Sequence, residues 1–197
     1  MELEEFINKY DFEGSIVLLE GKRIVIDSDK AKLIKLGSLL AEKSKYITFR
    51  SGNADGADSY FAQGVTSVDS SRFEVITPYS GHRKNKEYDY ITYSLDEINL
   101  AKEPEVIYQS KRNNKTEKLI DKFVEGEKNR ITLKAAYIIR DTIKVLGTSD
   151  IKPANFAIFY EDLDNPNKGG TGHTMDICRI NGVEFINQLI WLNWVEK

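Results

Sequence analysis

Two stretches of this chain combine glycine with small polar residues in a way suited to holding anions. They are Arg50-Ser51-Gly52-Asn53-Ala54-Asp55-Gly56-Ala57-Asp58 and Gly169-Gly170-Thr171-Gly172-His173-Thr174. Each follows a β-rich run and precedes residues at helical spacing, so each reads as a loop that leads into a helix N-terminus. The first turn of a helix presents N–H groups that lack intrahelical partners, together with a partial positive charge. Glycine adds close access to the backbone, and a phosphate is the natural guest. In an open parallel sheet, two such loops at the carboxyl ends of strands face one crevice where the strand order reverses. One ligand held between them is therefore expected. Neither stretch has the Gly-Lys-Ser/Thr ending of an ATPase phosphate loop or the Gly-x-Gly-x-x-Gly of a dinucleotide oxidoreductase, and both activities lose support.

The elements that must position these loops alternate between strand and helix, which predicts an α/β fold: a Rossmann-like, mostly parallel sheet with helices on both faces. Ile16–Leu19 reads as a buried strand, Glu20 to Arg23 as a turn, and Ile24–Ile26 as a second β-rich piece. Helical spacing of Leu33, Ile34, Leu36, Leu39 and Leu40 predicts a helix over Ala31–Lys45, followed by a strand at Tyr46–Phe49. After the first loop comes a helix to about Val65, then a strand at Phe73–Thr77 that stops at Pro78. A helical insert is expected over about 87–147, with helices at Tyr88–Leu100, Glu117–Val124 and Leu133–Leu146, the last ended by Gly147. Phe156–Tyr160 is a strand, Glu161–Lys168 a surface loop, Met175 to Ile180 a helix and Val183–Ile186 a final strand. The tail over 187–197, with Trp191 and Trp194, is apolar enough to dock on the body or on a second subunit, and base stacking is a further reading of its indoles.

Individual side chains in and near the loops carry open alternatives. Asp55 and Asp58 serve either as caps of the following helix or as acceptors for ribose hydroxyls. His82 and Arg83, after Pro78, suit a phosphate or ribose contact, or simply a solvated loop. His173 is a candidate acid or base, its ordinary pKa being near 6.5, or a packing residue. Asp176 reads as a first-turn helix acid or as a catalytic carboxylate.

With 197 residues, 41% of them hydrophobic, the chain is expected to fold as one domain over 1–197. Its 28 basic and 31 acidic residues give a net charge of -3 without a basic stripe, which disfavours nucleic acid as a partner. The single cysteine, Cys178, excludes an internal disulfide and a cysteine zinc site, and no metal or cofactor is expected. The start, MELEEFINKY, lacks the pattern of a signal peptide, and no apolar run approaches the roughly 20 residues that span a bilayer, so no membrane role and a cytoplasmic location are expected.

The pair SGNADGAD (Ser51–Asp58) and GGTGHT (Gly169–Thr174) resembles the SLOG superfamily of Rossmann-like nucleotide-binding domains, over roughly Ile16 to Ile186. That superfamily includes LOG phosphoribohydrolases, DNA-processing proteins of the DprA type and many small phage and plasmid proteins, and the last are the most similar in loop order. Ser51, Gly52, Gly56, Ala57 and Asp58 match its first loop, with Asn53 where a glycine is common. Gly21 and Arg23 match a Gly-Ser-Arg after the first strand, and Lys22 departs from it, so the resemblance makes Arg23 a phosphate partner. Gly169, Gly170 and Gly172 match the second loop, while His173 stands at a threonine position and Asp176 at the position of a glutamate that serves glycosidic-bond cleavage in LOG enzymes. The resemblance implies capture of a nucleotide-derived small molecule, such as a signalling nucleotide or an ADP-ribose derivative, in a sensor or a sequestering phage protein acting in a host cytoplasm. A nucleotide N-glycosidase using Asp176 and His173 is the alternative, and DprA-like single-stranded DNA binding is disfavoured by the charge. A homo-oligomer is expected by the same kinship.

Overall fold

A computed structural model of the protein describes residues 1–83, 90–166 and 168–196. The N-terminal helix α1 (Leu3–Tyr10) precedes strand β1 (Ile16–Gly21), helix α2 (Asp27–Lys43), strand β2 (Thr48–Ser51) and helix α3 (Ala57–Asp69). Strands β3 (Phe73–Thr77) and β4 (Ile91–Ser94) follow, then helices α4 (Pro104–Ser110), α5 (Glu117–Val124) and α6 (Leu133–Leu146). Strand β5 (Phe156–Tyr160), helix α7 (Gly169–Ile180), strand β6 (Glu184–Ile186) and helix α8 (Gln188–Glu196) complete the order.

All strand pairs are parallel, in the order β4-β3-β2-β1-β5-β6. The fold is α/β and Rossmann-like. The apolar strands explain why both faces are covered, since a strand buried on both sides needs apolar residues at consecutive positions. Val17 and Leu19 of β1, with Phe156 and Ile158 of β5, enter one core with Leu33, Leu36, Phe61 and Trp191. Ile16 and Leu18, with Ala157 and Phe159, enter another with Met175, Ile177 and Cys178 on the opposite face. On that second face Ile76 of β3 joins Ile120, Ile139 and Ile143 of the middle helices. Helices α2 and α3 pack backbone to backbone: a Cβ at Gly64 would lie 2.1 Å from the Ile34 carbonyl oxygen.

Several expectations are corrected. β1 continues through Glu20 to Gly21, and Ile24–Ile26 forms no strand. The chain leaves the sheet there because the loops after β1 and β2 pack on each other: the Ala57 N–H donates to the Lys22 carbonyl, and a Cβ at Gly56 would meet the Arg23 carbonyl oxygen at 2.1 Å. α2 starts at Asp27, a turn earlier than the apolar spacing suggests. The expected helix Tyr88–Leu100 begins outside the described residues, and its described part is strand β4 followed by tight turns. Ile91 to Ser94 extends because β3 offers an unpaired edge, which outweighs local helical spacing. α5 and α6 coincide with their expected limits, whereas α1 and α4 went unread. The tail docks on the body through α8, where the Trp191 indole N–H donates to the Phe159 carbonyl at 2.9 Å. Among the described residues, no helix is long and apolar enough to cross a membrane.

Candidate functional site

The chain runs outward from β1 to β4 and returns to β5 on the other side of β1, so the strand order reverses between β1 and β5. A cleft of about 820 Å³ opens at that point, beyond the carboxyl ends of these two strands. Its floor is Glu20 and Gly21, one wall is the start of α7 with Gly169, Gly170, Thr171 and His173, and the facing wall is α6 with Lys134, Tyr137, Arg140 and Asp141. The middle segment of the chain is therefore a wall of the cleft. Lys22, Arg23, Arg130, Lys134 and Lys168 also line it, and among the described residues none of these five enters an ion pair.

Beneath the floor lies a buried charge network. Lys144 Nζ is 2.6 Å from Glu20 Oε2 and 2.8 Å from Asp141 Oδ1, and Arg140 Nη2 is 2.6 Å from the same Asp141 oxygen. Arg140 also donates through Nη1 to the Gly52 carbonyl at 2.8 Å, and Thr174 donates to Glu20 Oε1 at 3.1 Å. Burial pushes the Glu20 carboxyl up to about 7; the Lys144 ammonium opposes this and the Asp141 and Asp58 carboxylates add to it. Burial also works against ionisation of Asp141, yet the Arg140 and Lys144 cations outweigh it and hold that carboxyl near 2. Two carboxyls in one cleft are thus driven apart, one firmly ionised and one poised near neutrality.

The glycine stretches are used differently from what their composition suggests. Gly169 to Thr174 is the opening of α7 itself, so helix begins well before Met175. Glycine in a helix interior is unfavourable, which is why the residues read as a loop, but at the first turn no backbone partner is lost. Gly170 is needed there for space, because a Cβ would sit 2.9 Å from Asp141 Oδ2. In the first stretch Gly52 is covered by Arg140 and Lys144, with a would-be Cβ only 3.0 Å from the guanidinium carbon. Gly56 has φ +87°, and Asn53 accepts a left-handed φ of 53° while its side-chain amide donates to the Arg83 carbonyl at 3.0 Å.

Of the residues singled out in the sequence, Gly21, Arg23, Asp58, Gly169, Gly170, Thr171 and His173 line the cleft. Ser51, Gly52, Asn53, Asp55, Gly56, Arg83, Gly172, Thr174 and Asp176 do not. Asp58 is a latch: its two oxygens accept from the Gly21 N–H at 3.0 Å and the Ala54 N–H at 3.2 Å, tying β1 to the first loop. Asp55 pairs with Arg83 at 2.8 Å on the surface. His173 Nε2 lies 3.0 Å from the Thr142 hydroxyl, and burial lowers its pKa, so the imidazole is neutral at pH 7. Asp176 points out of the cleft to Arg112, 3.4 Å away. Sequence reasoning missed Glu20, Arg140, Asp141 and Lys144. The available signal was the Arg140, Asp141, Lys144 set on a helix otherwise rich in isoleucine, where buried charges need partners.

No protein-family model matches the chain, and no curated protein matches it. A solved structure of DNA processing protein A from Helicobacter pylori, described for its single-stranded DNA binding mode, is similar, with 16% identity, a TM-score of 0.47, and coverage of 91% of this chain and 67% of that one. The expectation that nucleic acid is disfavoured as a partner is corrected accordingly: a protein with that kind of ligand is among the chain's structural likenesses. A net charge of -3 averages over the whole surface and does not describe the cleft, which Lys22, Arg23, Arg130, Lys134 and Lys168 line.

Proposed function

We propose that the cleft at the strand-order reversal binds a nucleotide-derived small molecule, with its phosphates at the cationic mouth and the opening turn of α7. The observation that carries this reading is that five lysine and arginine side chains, none in an ion pair among the described residues, line the same cleft of about 820 Å³ as the N-terminus of α7. An anion suits that combination, and the volume lies within the usual range for a small-molecule site. The kinship suggested by the two glycine stretches supports a SLOG-type ligand, a signalling nucleotide or an ADP-ribose derivative.

Calorimetric titration with inorganic pyrophosphate, nucleoside mono- and diphosphates, cyclic nucleotides, ADP-ribose and a 5′-phosphorylated oligonucleotide tests it. Saturable binding of a mononucleotide-sized ligand, lost in Gly170→Asp, is expected. Binding of the oligonucleotide alone moves the reading to a nucleic-acid strand, and binding of none of them ends it.

A second reading is favoured by one observation, the pairing of Glu20, pushed up to about 7, with the ionised Asp141. Two carboxyls so divided suit hydrolysis of an N-glycosidic bond: Glu20 gives its proton to the leaving base, water adds to the anomeric carbon and returns a proton to Glu20, and Asp141 stabilises the positive charge that develops on the sugar. Release of free base on incubation, abolished by Glu20→Gln, is its test.

A further inference from the structure

We propose that Asp141 Oδ2 is the acceptor for a sugar hydroxyl, so that the cleft takes ribonucleotide-type ligands and discriminates against those lacking ribose hydroxyls; this rests on the cleft being the ligand site. Asp141 is 3% exposed, and its position is set through one oxygen only. Oδ1 receives Arg140 Nε at 3.1 Å, Arg140 Nη2 at 2.6 Å and Lys144 Nζ at 2.8 Å. No described residue donates a hydrogen bond to Oδ2, although the residue lines the cleft. That oxygen is open to the cleft, so a ligand donor that reaches it gains a hydrogen bond to a charged acceptor without displacing a protein partner.

Gly170 keeps that oxygen open. It sits across from Oδ2, and any side chain there would place its Cβ 2.9 Å away and close the approach. An ionised carboxylate only accepts, so what reaches Oδ2 must be a donor, and a phosphate is repelled from it. The same cleft carries its cations at Lys22, Arg23 and Lys168. A ligand that satisfies both has donor groups at one part and phosphate at another, and ribose phosphate has that layout. Asp58, the aspartate whose place in the first stretch suggested a ribose contact, already accepts a backbone N–H at each oxygen, whereas Asp141 Oδ2 accepts none from the described residues.

The test compares affinities of the four ribonucleoside diphosphates with their 2′,3′-dideoxy counterparts and with inorganic pyrophosphate, on the unaltered protein and on Gly170→Ala. The expected result is a preference for the ribonucleotides of roughly ten- to a hundredfold, the usual worth of a hydrogen bond to a charged group. In Gly170→Ala, whose methyl group crowds Oδ2, the ratio of ribo to dideoxy affinities, read within that variant, falls to within about threefold. Asp141→Asn is a second variant, read only if its thermal transition persists, and it lowers the preference as well. Equal binding of ribo and dideoxy ligands overturns the hydroxyl assignment and leaves the cleft reading standing. A preference that follows the amino group of the base and ignores the sugar also overturns it. If no phosphorylated ligand binds, both the assignment and the cleft reading fail.

Discussion

The two glycine stretches look alike in composition but differ in what their glycines face. In 51–58 the glycines meet protein: Gly52 lies under Arg140 and Lys144, and Gly56 is pressed on the Arg23 carbonyl. In 169–174 the first two meet the cleft: Gly169 has nothing within 4 Å of a would-be Cβ, and Gly170 meets only the Asp141 carboxylate. The first stretch is a packing device that joins the end of β1 to the start of α3, while the second opens a wall of the cleft. A glycine-rich loop ahead of a helix therefore supports two readings, and the neighbours of the missing Cβ separate them.

The comparison is tested most severely at the network that the first stretch covers. Lys144→Met leaves the Glu20 and Asp141 carboxylates without their shared ammonium, and the expected loss of stability is about 3–5 kcal/mol by chemical denaturation. Gly56→Ala comes next, at roughly 2–4 kcal/mol, since it combines a φ of +87° with a backbone clash. Gly169→Ala, also at positive φ but with open space around it, costs only about 1–2 kcal/mol. If the two glycine variants prove equally damaging, the distinction between packing device and cleft wall does not hold.

An effect of comparable size is expected in the pH dependence. The Glu20 carboxyl is raised from 4.5 to about 7, so between these values the folded state binds a proton that the unfolded state releases. Its contribution is fully present below about 4.5 and is lost as pH rises through about 7, so stability declines over that window, by on the order of 1–3 kcal/mol. Glu20→Gln removes this slope, and denaturation curves at pH 5 and pH 8 for both proteins measure the difference. Smallest of all is Asp176→Asn, which breaks only a half-exposed pair with Arg112; stability changes by no more than about 0.5 kcal/mol, and ligand affinity stays within about twofold. A large loss of affinity there would return Asp176 to the site.

The alternation of apolar strands with amphipathic helices was legible because burial on both faces demands consecutive apolar residues, and Ile16 to Leu19 and Phe156 to Tyr160 supply them. Helices α5 and α6 were legible to the residue, since their own spacing and Gly147 determine their extent. Strand β4 was not, because Ile91 to Ser94 is extended by pairing with β3 and carries no decisive local preference. Glycines at a helix start led to Gly169, Gly170 and Thr171, and the family resemblance led to Gly21, and all four line the cleft. Only the tertiary structure decided which charges share the cleft. Glu20, Asp141 and Lys144 are separated by up to 124 positions in the chain, and their meeting depends on α6 crossing the carboxyl end of β1. Local sequence determines which segments coil or extend, whereas the pairing of buried charges is settled by which of those segments pack together.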